Sequence, residues 1–131
     1  MKRILTLSAL ALLLLPIPTG KQIGAYNTVS GLWFCTDART CLHERAHWLD
    51  YHNGRISDTD EFRHAATVYI FTRRAYGLIG LTMGEVYAEI YAQSDGQPPA
   101  PLDAFFPPLP GTVVSIDIFG GTLYAVHDPG H

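Results

Sequence analysis

The uncharged run Ile4–Leu15 sets the first limit on what this chain can fold into. It is twelve residues long, follows Lys2 and Arg3, and is closed by Pro16 and Pro18. A membrane-spanning helix needs about 20 apolar residues, so Met1–Thr19 reads as an export signal. An uncleaved anchor with its positive end inside is the alternative, and it places the rest of the chain on the same outer side. The nearest small-residue ending for cleavage is Ile23-Gly24-Ala25. Residues 1–25 are therefore expected to be a signal peptide or N-terminal membrane anchor. The protein is expected to be exported, whether secreted, periplasmic or held on the outer face of the membrane. Of its 131 residues, roughly 110 remain for folding, enough for one domain and hardly two.

Charge and composition narrow the classes further. The net charge is −3, and without Lys2 and Arg3 the remaining seven bases face twelve acids, or −5. A nucleic-acid partner would ask for a basic face, so none is expected. Hydrophobic residues at 47% against 16% charged imply a packed core rather than disorder. Two cysteines are too few for a disulfide-framework scaffold. Outside the cytosol Cys35 and Cys41 could close a small loop, with free thiols as the equal alternative.

Patterning gives a coarse element order. Tyr26–Phe34 mixes β-branched and aromatic residues around Gly31 and predicts at most one strand. A first helix is expected from an N-cap at Asp37 to Asn53, with Gly54 beyond its end. A second should begin at Asp58, with Glu61 completing a capping box, a stripe of Phe62, Ala65, Ala66, Tyr69 and Ile70, and an end at Tyr76-Gly77. Thr82 offers the N-cap of a third helix running to about Gln93. Prolines at 98, 99, 101, 107, 108 and 110 make Gln97–Pro110 an extended arm, with Phe105 and Phe106 docking it. Thr112–Phe119 and Thr122–His127 should pair as a hairpin about Gly120-Gly121. Trp33, Trp48 and Tyr51 are expected in the core. The expected fold is α+β and dominated by helices. It has a short N-terminal strand, a helical metal-binding core over 26–96, and a proline-rich arm with a C-terminal β-hairpin over 97–131.

The residues that carry chemistry lie in the first helix. His43-Glu44-Arg45-Ala46-His47 is an HExxH sequence. Residues four apart stack on one helix face, so both imidazoles can reach one Zn²⁺ at about 2.0–2.1 Å. Glu44, beside the first ligand, can take a proton from a water activated there. A third ligand is needed. The pattern with Gly at 50 and His at 53 is absent, since the chain has Asp50 and Asn53. His52 lies about 140° round the helix from His47, and His64 is one helix on. Glu85 fits better: it opens the third helix in Glu85-Val86-Tyr87-Ala88-Glu89, where Glu89 follows one turn later on the same face. One carboxylate can bind metal while the other accepts the free N–H of a ligand histidine.

HExxH followed by a distal Glu-x-x-Ala-Glu helix resembles the gluzincin zinc metallopeptidases, and most closely their lethal-factor-like branch. The likeness covers roughly Thr40–Ala92 and rests on His43, Glu44, His47, Asp50, Glu85, Ala88 and Glu89, with Tyr87 as the aromatic. It implies a zincin-like domain in which His43, His47 and Glu85 bind zinc and Glu44 is the general base. It also implies that Asp50 and Glu89 orient the ligands and that the Tyr76 phenol, in Tyr76-Gly77, stabilises the oxyanion. The implied activity is hydrolysis of a peptide or protein substrate. Two departures stand beside it: about ten strand-compatible residues precede the first helix where such domains usually have several strands, and Arg45 must point away from the core. A non-catalytic exported zinc-binding or envelope interaction domain is the alternative expectation.

Overall fold

The computed structural model describes residues 23–128, so the expectations for Met1–Thr19 lie outside the described residues. The fold is α+β and dominated by helices. Among the described residues three α-helices pack with one four-stranded antiparallel sheet of order β1-β2-β4-β3, where β1 is Gly24–Tyr26, β2 Trp33–Cys35, β3 Thr112–Ile118 and β4 Gly121–His127.

The N-terminal segment is two strands and not one. The Asn27 side chain accepts from the backbone N–H of Val29 and Ser30, and Gly31 sits at φ 74. A polar turn with a left-handed glycine thus folds the segment back on itself. β1 begins at Gly24 opposite Cys35, so residues 24 and 25, expected to belong to the leader, are part of the sheet.

Helix α1 (Ala38–His52) has Asp37 as N-cap, its carboxylate accepting from Thr40 N, and ends at Asn53 with Gly54 left-handed. Helix α2 is Asp60–Arg73. Its cap is Thr59 rather than Asp58, because the chain first makes a 3₁₀ turn over Ile56–Asp58 and the Thr59 hydroxyl meets Phe62 N. It ends before Tyr76-Gly77, where Arg74 takes φ 55 and its N–H meets Ile70 O. Helix α3 (Met83–Gln93) starts as its sequence suggests, with the Thr82 hydroxyl accepting from Glu85 N.

The core lies between the sheet and α1, α2 and α3, with Trp33, Leu49, Phe62, Val86, Tyr87 and Ile90 almost wholly buried. Strand alternation divides β2: Trp33 and Cys35 face this core, while Phe34 joins Leu32 and Leu123 in a smaller cluster on the sheet's other face. The arm is docked as expected, Phe106 stacking on Tyr87 at 4.2 Å while Phe105 O accepts from the Tyr87 hydroxyl at 2.7 Å. It is not wholly extended, because Leu102–Phe105 forms a 3₁₀ turn that buries Leu102.

The hairpin turns one residue earlier than expected. Phe119 and Gly120 both have positive φ, and Ile118 pairs with Gly121, the two-residue geometry that matches strand twist. Gly121 is free to join the ladder and required there, since a Cβ would press on the Phe34 ring and lie 2.8 Å from Cys35 O. A disulfide joins Cys35 of β2 to Cys41 of α1, so the two cysteines close a loop and are not free thiols. Among the described residues no helix is long and apolar enough to cross a membrane.

Candidate metal centre

Helix geometry places His43 and His47 one above the other on α1, with ring centroids 4.8 Å apart. Helix α3 then brings Glu85 across both. Its Oε2 lies 3.0 Å from His43 Nε2 and its Oε1 3.1 Å from His47 Nε2, while the two Nε2 atoms are 3.2 Å apart. Taken with one donor atom per residue, all three lie within 4.8 Å of one another.

The hydrogen bonding of His43 orients its ring. Nδ1 donates to Glu89 Oε1 at 2.8 Å, since a carboxylate can only accept. In the neutral ring Nε2 is therefore a bare lone pair, and it faces a carboxylate oxygen and a second imidazole nitrogen. A proton on His47 Nε2 shared with Glu85 Oε1, or a cation among the three residues, satisfies this arrangement. Tetrahedral zinc with bonds of about 2.0–2.1 Å holds its donors about 3.3 Å apart, close to the spacings found. The three residues can hold a metal ion.

Around the triad the other expected residues divide. Glu89 braces His43 and is itself paired with Arg39 at 2.7 Å. Glu44 is buried in the same cleft, and burial, then the charge of Glu85, pushes its carboxyl up to about 8. Burial likewise lowers His47, against the opposing pull of Glu85, favouring the neutral form that ligates. Asp50 hydrogen-bonds Ser57 and not a histidine, while its charge still acts on His47. It is fully buried, and its two oxygens accept from Ser57 N at 2.8 Å and Ser57 Oγ at 2.7 Å, with Arg55 Nε at 3.7 Å. Its hydrogen bonds thus tie the end of α1 to the following 3₁₀ turn. Tyr76 is displaced from its expected role. It is exposed in the turn after α2 and packs edge-on against Phe71, because α2 stops at Arg73 and the connecting turn faces outward.

A cleft of about 450 Å³ opens over the cluster, lined by Gly24, Ala25, Tyr26, Thr28, His43, Glu44, His47, Tyr51 and Glu85. Its aromatic groups are Tyr26 and Tyr51, 5.6 Å apart, and Tyr26 also stacks on His47 at 6.3 Å. Burial, then the neighbouring Tyr51 and Asp50, pushes the Tyr26 phenol up to about 12, so it remains a donor at neutral pH. Tyr51 lines the cleft rather than the core. It follows His47 by four residues, a spacing that places it on the ligand face. No local signal marks Tyr26, which reaches the site only through the β1–β2 turn. The remaining histidine of α1, His52, stacks on Trp48 at 4.2 Å, outside the cleft. Arg45 points away from the core's apolar face into a second cleft lined also by Asp37, Asp95 and the disulfide. No protein-family model, curated protein or solved structure matches this chain.

Proposed function

We propose that the protein is an exported zinc-dependent metallopeptidase of the gluzincin type. The observation that carries this reading is the convergence of His43, His47 and Glu85 from two helices, with the Glu44 carboxylate in the same cleft. The donor set, two imidazoles and one carboxylate, is that of a catalytic zinc site with a position left for water. Bound there, zinc supplies Lewis acidity to the scissile carbonyl and to the attacking water. Burial and the Glu85 charge hold the Glu44 carboxyl high. A cation beside Glu85 would ionise it, and it would then serve as the base for the attacking water and the proton donor to the leaving amine. Glu89 keeps the His43 ring oriented through Nδ1. Tyr26, protonated and stacked on His47, takes the oxyanion-donor role that the sequence likeness gives to Tyr76.

Substrate placement follows from the sheet. Among the described residues β1 is the outer strand and pairs with β2 alone, and it lines the cleft with Gly24, Ala25 and Tyr26. An extended peptide can add to that edge through backbone hydrogen bonds. Export belongs to the same proposal, supported by the Cys35–Cys41 disulfide, because such bonds persist mainly outside the cytosol. A non-catalytic zinc-binding domain is the second reading, favoured by the three-residue length of β1.

The test is metal content followed by hydrolysis. The purified full chain should hold zinc at a ratio of about one by elemental analysis. Glu44→Gln should keep the metal and abolish cleavage of a peptide library. Wild-type protein without stoichiometric metal sinks the proposal, and full zinc occupancy with no cleavage of any peptide turns it to the second reading.

A further inference from the structure

The end of α2 and the connection to α3 expose several large apolar side chains that lie outside the candidate metal cleft. Phe71 is 60% exposed, Tyr76 52%, Ile79 58% and Leu81 40%. The Phe71 and Tyr76 rings touch at 6.2 Å, and the backbone between Tyr76 and Leu81 is held in consecutive turns by Ile79 N to Tyr76 O and Leu81 N to Leu78 O. Four large apolar side chains are thus presented to solvent from a helix end and the ordered turn that follows it, an arrangement that marks an interaction surface.

Charge identifies the partner. The chain as a whole is acidic at −3, yet between Glu61 and Glu85 it has no Asp or Glu and carries Arg63, Arg73 and Arg74. Arg73 and Arg74 are exposed and lie in the chain between Phe71 and Tyr76, Arg73 over the Tyr69 ring at 5.7 Å and neither held in an ion pair among the described residues. Aromatic and aliphatic groups beside arginines match the headgroup–acyl boundary of an anionic bilayer, where rings sit at headgroup level and guanidinium groups meet phosphate.

We infer that Phe71, Tyr76, Ile79 and Leu81 dock into an anionic lipid surface, with Arg73 and Arg74 on its headgroups. Glu85 follows Leu81 by four residues, so docking sets the first turn of α3, and with it the metal cluster, beside the membrane. The inference is independent of whether the cluster is catalytic.

Insertion depth at a single position tests it in the full chain, where attachment through the N-terminal segment would not imitate the result. An environment-sensitive fluorophore is placed on Ile79→Cys, and as a control on Val29→Cys, which is 95% exposed in the β1–β2 turn. With phosphatidylcholine vesicles containing phosphatidylglycerol, the label at 79 should shift to the blue and be quenched by nitroxide lipids, while the label at 29 stays water-like. Replacing Arg73 and Arg74 together by Gln should weaken that insertion roughly 30-fold. The inference is overturned if position 79 stays as water-exposed as position 29. Equal insertion into pure phosphatidylcholine overturns it too, as does burial of position 79 that grows with protein concentration without lipid, the sign of a second copy on this face.

Discussion

Removal of the Glu89 carboxylate tests the metal centre through a residue that need not touch the metal. Glu89 Oε1 accepts from His43 Nδ1 at 2.8 Å and Oε2 from Arg39 at 2.7 Å. In Glu89→Ala the imidazole N–H, on a side chain only 15% exposed, loses its acceptor, a cost of about 1–3 kcal/mol. The ring also becomes free to turn away from Glu85 and His47. At about 1.4 kcal/mol per tenfold change, and in line with other metal sites braced this way, zinc affinity should fall about 10–100-fold. The Arg39 side chain is 47% exposed, so its ion pair is screened by solvent, and Arg39→Ala should weaken binding by less than about fivefold. Glu89→Gln retains one acceptor oxygen and should fall between the two. The assay is competition of the full chain with a chromogenic zinc chelator. If Glu89→Ala binds zinc within about threefold of wild type, the His43–Glu89 bond does not prepare the site. A loss in Arg39→Ala as large as that in Glu89→Ala would equally refute the assignment.

Two further outcomes probe the frame around the site. In Gly24→Ala the added Cβ would press on Thr40 Cγ2 and come within 2.8 Å of Glu44 Oε2. β1 must then lift from α1, at about 1–3 kcal/mol in urea denaturation, and an unchanged midpoint would show that the strand does not lie over Glu44. Asp37 feels slight burial, which raises its carboxyl, but hydrogen bonds from Thr40 and Arg39 and the Arg39 charge outweigh this and lower it. Its contribution is therefore present above the unfolded carboxylate value and lost as pH falls through the lower folded one. Asp37→Ala should cost about 0.5–2 kcal/mol at neutral pH and much less in strong acid. A loss equally large at both pH values, by denaturant titration, would contradict the capping role.

What is legible along the chain is what neighbouring residues decide together. The caps Asp37 and Thr82 and the end of α1 at Asn53 depend on side chains and backbone groups meeting within a helical turn, and they are as the residue pattern predicts. The start of α2 lies at Thr59 instead of Asp58 because both residues can cap, and the 3₁₀ turn set by Asp50 and Ser57 chooses between them. The pair β1 and β2 resembles a single strand in the sequence because an Asn27 turn of this kind has no strong dipeptide signal. For Tyr76 the sequence offers only its neighbour Gly77, whereas its position follows from the end of α2 and the outward turn after it.

The sequence by itself determined a helix with His43, Glu44 and His47 on it, because i, i+4 spacing and helical pitch are local properties. The sequence also nominated Glu85, forty-two residues beyond His43, but tertiary structure set it across both imidazoles, gave the Asp50 hydrogen bonds to the α1 end, and put Tyr26 rather than Tyr76 in the cleft. Those outcomes rest on how α3 packs on α1 and how a β1–β2 pair closes over Glu44. Such packing is set by the whole buried core, through Trp33, Leu49, Phe62 and Tyr87, and no short window of residues contains it.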